Sequence, residues 1–127
     1  MSLAKRLFNA KHDRQGTIRK VLCVCSAGLL RSPTAAVVLS QPPFNFNTRA
    51  AGLVPEFALI VVDQVLLEWC DEIVCMEKFH KETLELLMEL PDYAKRPIKC
   101  LEIEDNFSYR SSELIFLIAN KYREVSR

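Results

Sequence analysis

Apolar and polar positions along this chain alternate between two periods. Val21 to Cys25 is an unbroken apolar run, the pattern of a parallel strand covered on both faces, and it predicts a strand over 20–25. The run Thr34 to Ser40 continues as a helix, with Ser32 as its N-cap and Pro33 at its first position. Gln41-Pro42-Pro43 stops it. Phe44 and Phe46 alternate at the head of a second strand that reaches Gly52. From Phe57 to Cys70 the period becomes helical, with Leu59, Val62, Leu66 and Trp69 on one face. Glu72 to Met76 reads as a third strand. Lys78 to Leu90 reads as a helix with Phe79, Leu84, Leu87 and Met88 on its apolar side, ended by Pro91. Ile98 to Ile103 makes a fourth strand, and Ser111 or Ser112 opens a last helix that runs nearly to the end.

Strands alternating with helices predict an α/β fold: a parallel sheet, right-handed crossovers, and helices on both faces. Ligands of such sheets bind beyond the carboxyl ends of the strands. Cys25 lies at that rim, and so do the residues after Ile103. Residues 1–19 stand apart, with Leu3, Leu7 and Phe8 among basic residues and then a polar stretch to Gly16. They read as a basic N-terminal arm ahead of one domain over 20–127.

Composition changes this picture little. A chain of 127 residues, 50% apolar and 26% charged, is sized and composed as one ordinary globular domain. The net charge of +1 gives no reason to expect specific nucleic-acid binding, although residues 1–20 carry +5 and the remainder −4. No stretch reaches the ~20 apolar residues of a membrane span, and the basic N-terminus lacks the apolar core of a secretory signal. Five cysteines, an odd count at irregular spacing, argue against a disulfide framework and for a reducing, cytoplasmic setting. There is no C-x-x-C, and His12 and His80 are far apart, so no metal site is expected.

The chemistry concentrates in Cys25-Ser26-Ala27-Gly28-Leu29-Leu30-Arg31-Ser32. A strand, a tight loop and a helix start direct backbone N–H groups and a helix N-terminus into one small bowl, which suits an anion. In a C-x5-R-S spacing, the amides from Ser26 through Arg31 can surround three phosphate oxygens while Arg31 adds a two-pronged contact. Gly28 can supply the positive φ such a loop needs. A thiol at the base of that field, beside a guanidinium and within reach of the Ser32 hydroxyl, is expected to be a thiolate. These residues predict a nucleophilic Cys25 attacking a bound phosphate ester, with Leu29 and Leu30 as an apolar rim.

C-S-A-G-L-L-R-S-P-T with its flanking strand and helix resembles the active-site motif of the low-molecular-weight protein tyrosine phosphatases, in a short form like the bacterial and phage members. D-E-I-V-C-M-E (Asp71 to Glu77) resembles the family's third strand and trailing acid, and the small Ala50-Ala51-Gly52 also fits. The resemblance implies a four-stranded parallel sheet in flavodoxin-like order 2-1-3-4, a cysteinyl-phosphate intermediate and no cofactor. It implies as substrate a phosphotyrosine protein or a small aryl phosphate. It also implies a general acid in a loop after the last strand, a place that Ile103 to Phe107 fills here, with Asp105 as the acid and Glu102, Glu104 and Asp92 as alternatives. Phe107 and Tyr109 would wall the pocket, with Phe57 bordering it. The chain departs from the family in carrying Ala27-Gly28 where a Gly-Asn pair braces the loop, Leu30 in place of a second loop cysteine, and Asn106 in place of the proline after the acid.

Two other readings compete. Arsenate reductases use a similar loop but pass a disulfide along two further cysteines. Cys75 resembles the place of the first, while His80, Lys81, Glu82 and Thr83 fill the region where its partner would stand. A phosphate-binding module without turnover would keep the cradle and could dispense with Cys25 or the acid.

Overall fold

The structure, a computed structural model, describes residues 18–26, 31–54, 58, 60–104 and 111–126. Its elements are β1 (Lys20–Cys25), α1 (Arg31–Ser40), β2 (Asn47–Gly52), α2 (Gln64–Trp69), β3 (Glu72–Cys75), α3 (Lys78–Leu87), β4 (Ile98–Cys100) and α4 (Ser112–Val125). The four strands form one parallel sheet in the order β2-β1-β3-β4. β1 is therefore central, with Cys25 beside Gly52 of β2 and Val24 beside Cys75 of β3.

Strand alternation divides the core in two. Val21, Cys23, Cys25, Val74 and Met76 face one side, where Ala35 and Leu39 of α1 and Leu114, Ile118 and Tyr122 of α4 cover them. Leu22, Val24, Ile73 and Cys75 face the other, beneath Val65 to Trp69 of α2 and Leu84 of α3. Val21 to Val24 are fully buried. At about 1.5–3 kcal/mol for each large side chain, this double cover is what holds an all-apolar strand in place.

Several elements are shorter than their apolar pattern predicts, among them α3, which ends at Leu87 with Met88 as its C-cap rather than at Leu90, and β3, which ends at Cys75. β2 begins at Asn47 because Asn45 takes a positive φ of 57°, and Phe44 and Phe46 both turn inward onto Tyr122, with ring centroids 5.4 and 5.7 Å away. The helix expected over 57–70 is only Gln64–Trp69. Asp63 caps it by accepting from the Leu66 N–H, and Val61 ahead of it pairs with Gly52 instead. Phe57 and Leu59 lie outside the described residues. β4 ends at Cys100 because Glu102 sits at φ 54°, although Leu101 and Ile103 still donate to the Cys75 and Met76 carbonyls. On α3 the buried stripe runs through His80 and Leu84, and Phe79 is half exposed.

At the amino ends of the strands, the buried Glu72 carboxylate ties β3 to β4, α4 and the chain entering β1. Tyr122 donates to it at 2.6 Å, Lys99 Nζ lies 2.9 Å from its other oxygen, and Arg19 Nη1 is 3.3 Å away. Burial alone would raise this carboxyl's pKa, but the Tyr122, Lys99 and Arg19 contacts outweigh it and hold the group below the ordinary glutamate range. The stabilisation is thus fully present above that range and is lost as pH falls through the lowered folded value. Glu72→Gln will melt well below wild type at pH 7, and the two melting temperatures will converge in acid. A gap that persists at low pH would assign the tie to packing instead.

Among the described residues, no helix is long and apolar enough to cross a membrane.

Candidate active site

Cys25 is the last residue of β1, on the face covered by α1 and α4, and only 3% exposed. The chain leaving β2 holds the backbone just beyond it. Leu53 N–H donates to the Cys25 and Ser26 carbonyls, both at 3.0 Å, and Val54 N–H donates to that of Ser26 at 2.9 Å. The small residues of Ala50-Ala51-Gly52 let β2 approach this closely.

Ser32 lies within the first turn of α1, since the helix begins at Arg31 rather than after a Ser32 cap. Its side chain is fully buried, with Oγ 3.1 Å from Cys25 Sγ and 3.4 Å from the Ala51 carbonyl. An O–H···O contact of 3.4 Å is long, whereas 3.1 Å to sulfur is short. The hydroxyl hydrogen therefore belongs on the sulfur side whenever the sulfur carries negative charge.

Arg31 is 2% exposed. Its Nη1 donates at 2.8 Å to Glu77 Oε2, just beyond β3, and at 2.8 Å to the Ile103 carbonyl, beyond β4. One guanidinium thus joins α1 to the carboxyl ends of two strands. A buried cation requires such a partner, because taking an uncompensated charge out of water costs several kcal/mol.

Ser26 follows the cysteine, and its Oγ lies 3.0 Å from His80 Nε2. His80 is fully buried in the first turn of α3, and its Nδ1 accepts from the Glu77 backbone N–H at 3.0 Å. A backbone N–H can only donate, so Nδ1 is the acceptor and the ring hydrogen is assigned to Nε2, which donates to Ser26.

Of the site residues expected from sequence, the structure brings Cys25, Ser26, Arg31 and Ser32 to one rim. Ala27, Gly28, Leu29 and Leu30, and likewise Asp105, Phe107 and Tyr109, lie outside the described residues. Glu102 and Glu104 flank Ile103. With Glu77, Lys78 and Phe79 they line a cavity of about 350 Å³ beside the Arg31 anchor. A larger cavity of about 420 Å³, between α1 and α4, lies toward the end of α1 away from Cys25. Sequence reasoning missed His80 and the Ile103 carbonyl, and took Glu77 only as a trailing acid. The spacing from Glu77 to His80 marks the first turn of α3, but a carbonyl anchor leaves no mark in sequence.

Cys75 is buried on the face opposite Cys25, opposite Cys100 in the register. Burial pushes its thiol far up, and the adjacent Cys100 adds to this. The two thiols thus lie on opposite faces of the sheet.

A scan against protein-family models finds no match, and a search of curated proteins finds none. Solved structures do match. Wzb of Vibrio vulnificus, in complex with benzylphosphonate, superposes with a TM-score of 0.62 at 20% identity, over 84% of this chain and 96% of its own. The thioredoxin-dependent arsenate reductase of Corynebacterium glutamicum superposes with a TM-score of 0.59 at 20% identity, over 97% of this chain and 67% of its own. At that identity the likeness is one of architecture: the chain has the flavodoxin-like α/β fold of the low-molecular-weight tyrosine phosphatases.

Proposed function

We propose that this chain is a cysteine-dependent phosphomonoester hydrolase acting on aryl phosphates, with phosphotyrosine in a protein as the intended substrate. The observation that carries the reading is the rim itself: a cysteine at the end of the central strand, a buried hydroxyl 3.1 Å from its sulfur, and an arginine six residues on fixed by Glu77 and the Ile103 carbonyl. The complex of Wzb with benzylphosphonate, whose phosphonate stands in for a phosphate and whose benzyl group stands in for a tyrosine ring, supports an aryl ester.

Cys25 sulfur attacks phosphorus as the bond to the leaving oxygen breaks, giving a cysteinyl phosphate. Arg31 and the loop amides from Ser26 through Arg31, those of Ala27 to Leu30 included, meet the charge on the phosphoryl oxygens. Asp105 gives its proton to the leaving oxygen. It then takes one from the water that breaks the sulfur–phosphorus bond and frees phosphate. Asp105 follows closely on Ile103, whose carbonyl touches Arg31, and Phe107 would stack on the aryl ring.

Purified protein given p-nitrophenyl phosphate is expected to release nitrophenol, and Asp105→Asn is expected to slow turnover by about 10²–10⁴-fold. Rapid quench of the Asp105→Asn variant will show phosphate attached to Cys25. A protein that binds inorganic phosphate but shows neither turnover nor phosphocysteine is a binding module, and the hydrolase reading falls.

A further inference from the structure

We propose that His80 is a positioning residue that fixes the two ends of the Cys25–Arg31 loop relative to each other and so sets the anion affinity of the site. The inference rests on the phosphate-site reading above. The ring makes two hydrogen bonds of opposite sense, and the one to Ser26 carries the role, because His80 stands in the first turn of α3 directly after Glu77, and the helix backbone itself joins the two. At one end of the loop its Nε2–H reaches Ser26 Oγ, next to the nucleophile, at 3.0 Å. On its other side Nδ1 receives the Glu77 N–H at 3.0 Å, and the Glu77 carboxylate holds Arg31, the other end of the loop, at 2.8 Å. Ser26, His80, Glu77 and Arg31 form one chain of contacts that closes the loop outside the sheet. His80 has no exposed surface, and the half-exposed Phe79 packs on its ring at a centroid distance of 4.2 Å. An anion cradle built from backbone amides depends on where those amides point, and a displacement of about 1 Å at a reacting centre is enough for a ~100-fold effect.

The plain alternative is that His80 only caps α3. The two roles use different ring nitrogens, so two substitutions separate them. In His80→Asn, the side-chain oxygen replaces Nδ1 and keeps the Glu77 N–H satisfied, but nothing reaches Ser26. In His80→Gln, the amide nitrogen takes the place of Nε2 and keeps the donor to Ser26.

The measurement is alkylation of Cys25 by iodoacetamide in the full-length chain, mapped by peptide mass spectrometry, with and without inorganic phosphate. Thermal melting is followed in parallel. Cys23, Cys70 and Cys75 react slowly at neutral pH, because burial pushes the Cys70 thiol up to about 12 and the other two further still. Phosphate protection of Cys25 is expected to weaken about tenfold or more in His80→Asn at nearly wild-type melting temperature, and to recover in His80→Gln. Ser26→Ala, which leaves α3 untouched, will weaken protection by the same factor, and the double variant will lose no more than either single. Should His80→Asn fail to fold, Ser26→Ala and His80→Gln decide the matter alone. Wild-type protection in Ser26→Ala, additive losses, or equal losses in the Asn and Gln variants would overturn the role of His80. A wild-type Cys25 that phosphate never protects would overturn the phosphate site itself, which is a separate result.

Discussion

Cys25→Ser will remove hydrolysis of p-nitrophenyl phosphate, by at least about 10⁴-fold, while leaving the fold and phosphate affinity in place. Loss of a covalent nucleophile costs this much because a hydroxyl is a weak nucleophile unless a base takes its proton. Ser32, whose Oγ lies 3.1 Å from the sulfur, is itself a hydroxyl and no base. The exchange of sulfur for oxygen is small and the site is already lined by the Ser32 hydroxyl, so stability should change by no more than about 1 kcal/mol. Turnover and a phosphate titration by calorimetry check both halves. Activity within tenfold of wild type would place the nucleophile elsewhere.

Arg31→Lys will cost less in rate and more in stability. Nη1 of the guanidinium makes anchoring contacts to Glu77 and to the Ile103 carbonyl, and its planar fork is the shape that matches phosphate oxygens. A lysine ammonium is a compact, strongly hydrated charge that cannot reproduce that geometry. It also leaves Glu77 or the Ile103 carbonyl without its donor. We expect kcat to fall by about 10²–10³-fold, the scale for loss of a donor aimed at transition-state charge, with melting lowered by several degrees. A variant that loses stability but keeps kcat would make Arg31 a strut and not part of the cradle.

The parts of this molecule legible in sequence are those fixed by short-range pattern. An unbroken apolar run, then a glycine-containing loop, then Ser-Pro-Thr places Cys25 and the start of α1 with no tertiary information. The alternation of strands and helices gives the parallel sheet. Boundaries were less legible where one residue's backbone decides them, as at Asn45 and Glu102, both at positive φ, or where a segment had a better use, as Val61 did in pairing with Gly52. His80 carries no signal in sequence, since a histidine far along the chain from His12 suggests no metal pair and nothing local reveals that α3 begins beside Ser26. Phe79 was placed on the apolar side of α3 by hydropathy, yet the fully buried position belongs to His80, because a ring with two hydrogen-bond partners can be buried and a bulkier apolar ring beside it need not be.

The central position of β1 has a further consequence. Its backbone is paired on both edges, and its residues 21–24 have no exposed surface. Such a strand opens only in the most costly fluctuations of a fold, in step with global unfolding. Cys25, paired with Gly52 on one edge, follows directly on the segment of the chain least subject to local fraying. Opening that exposes the Val21 to Val24 backbone must pass through disassembly of the sheet, so the rim that carries Cys25 is anchored on the part of the fold that opens last.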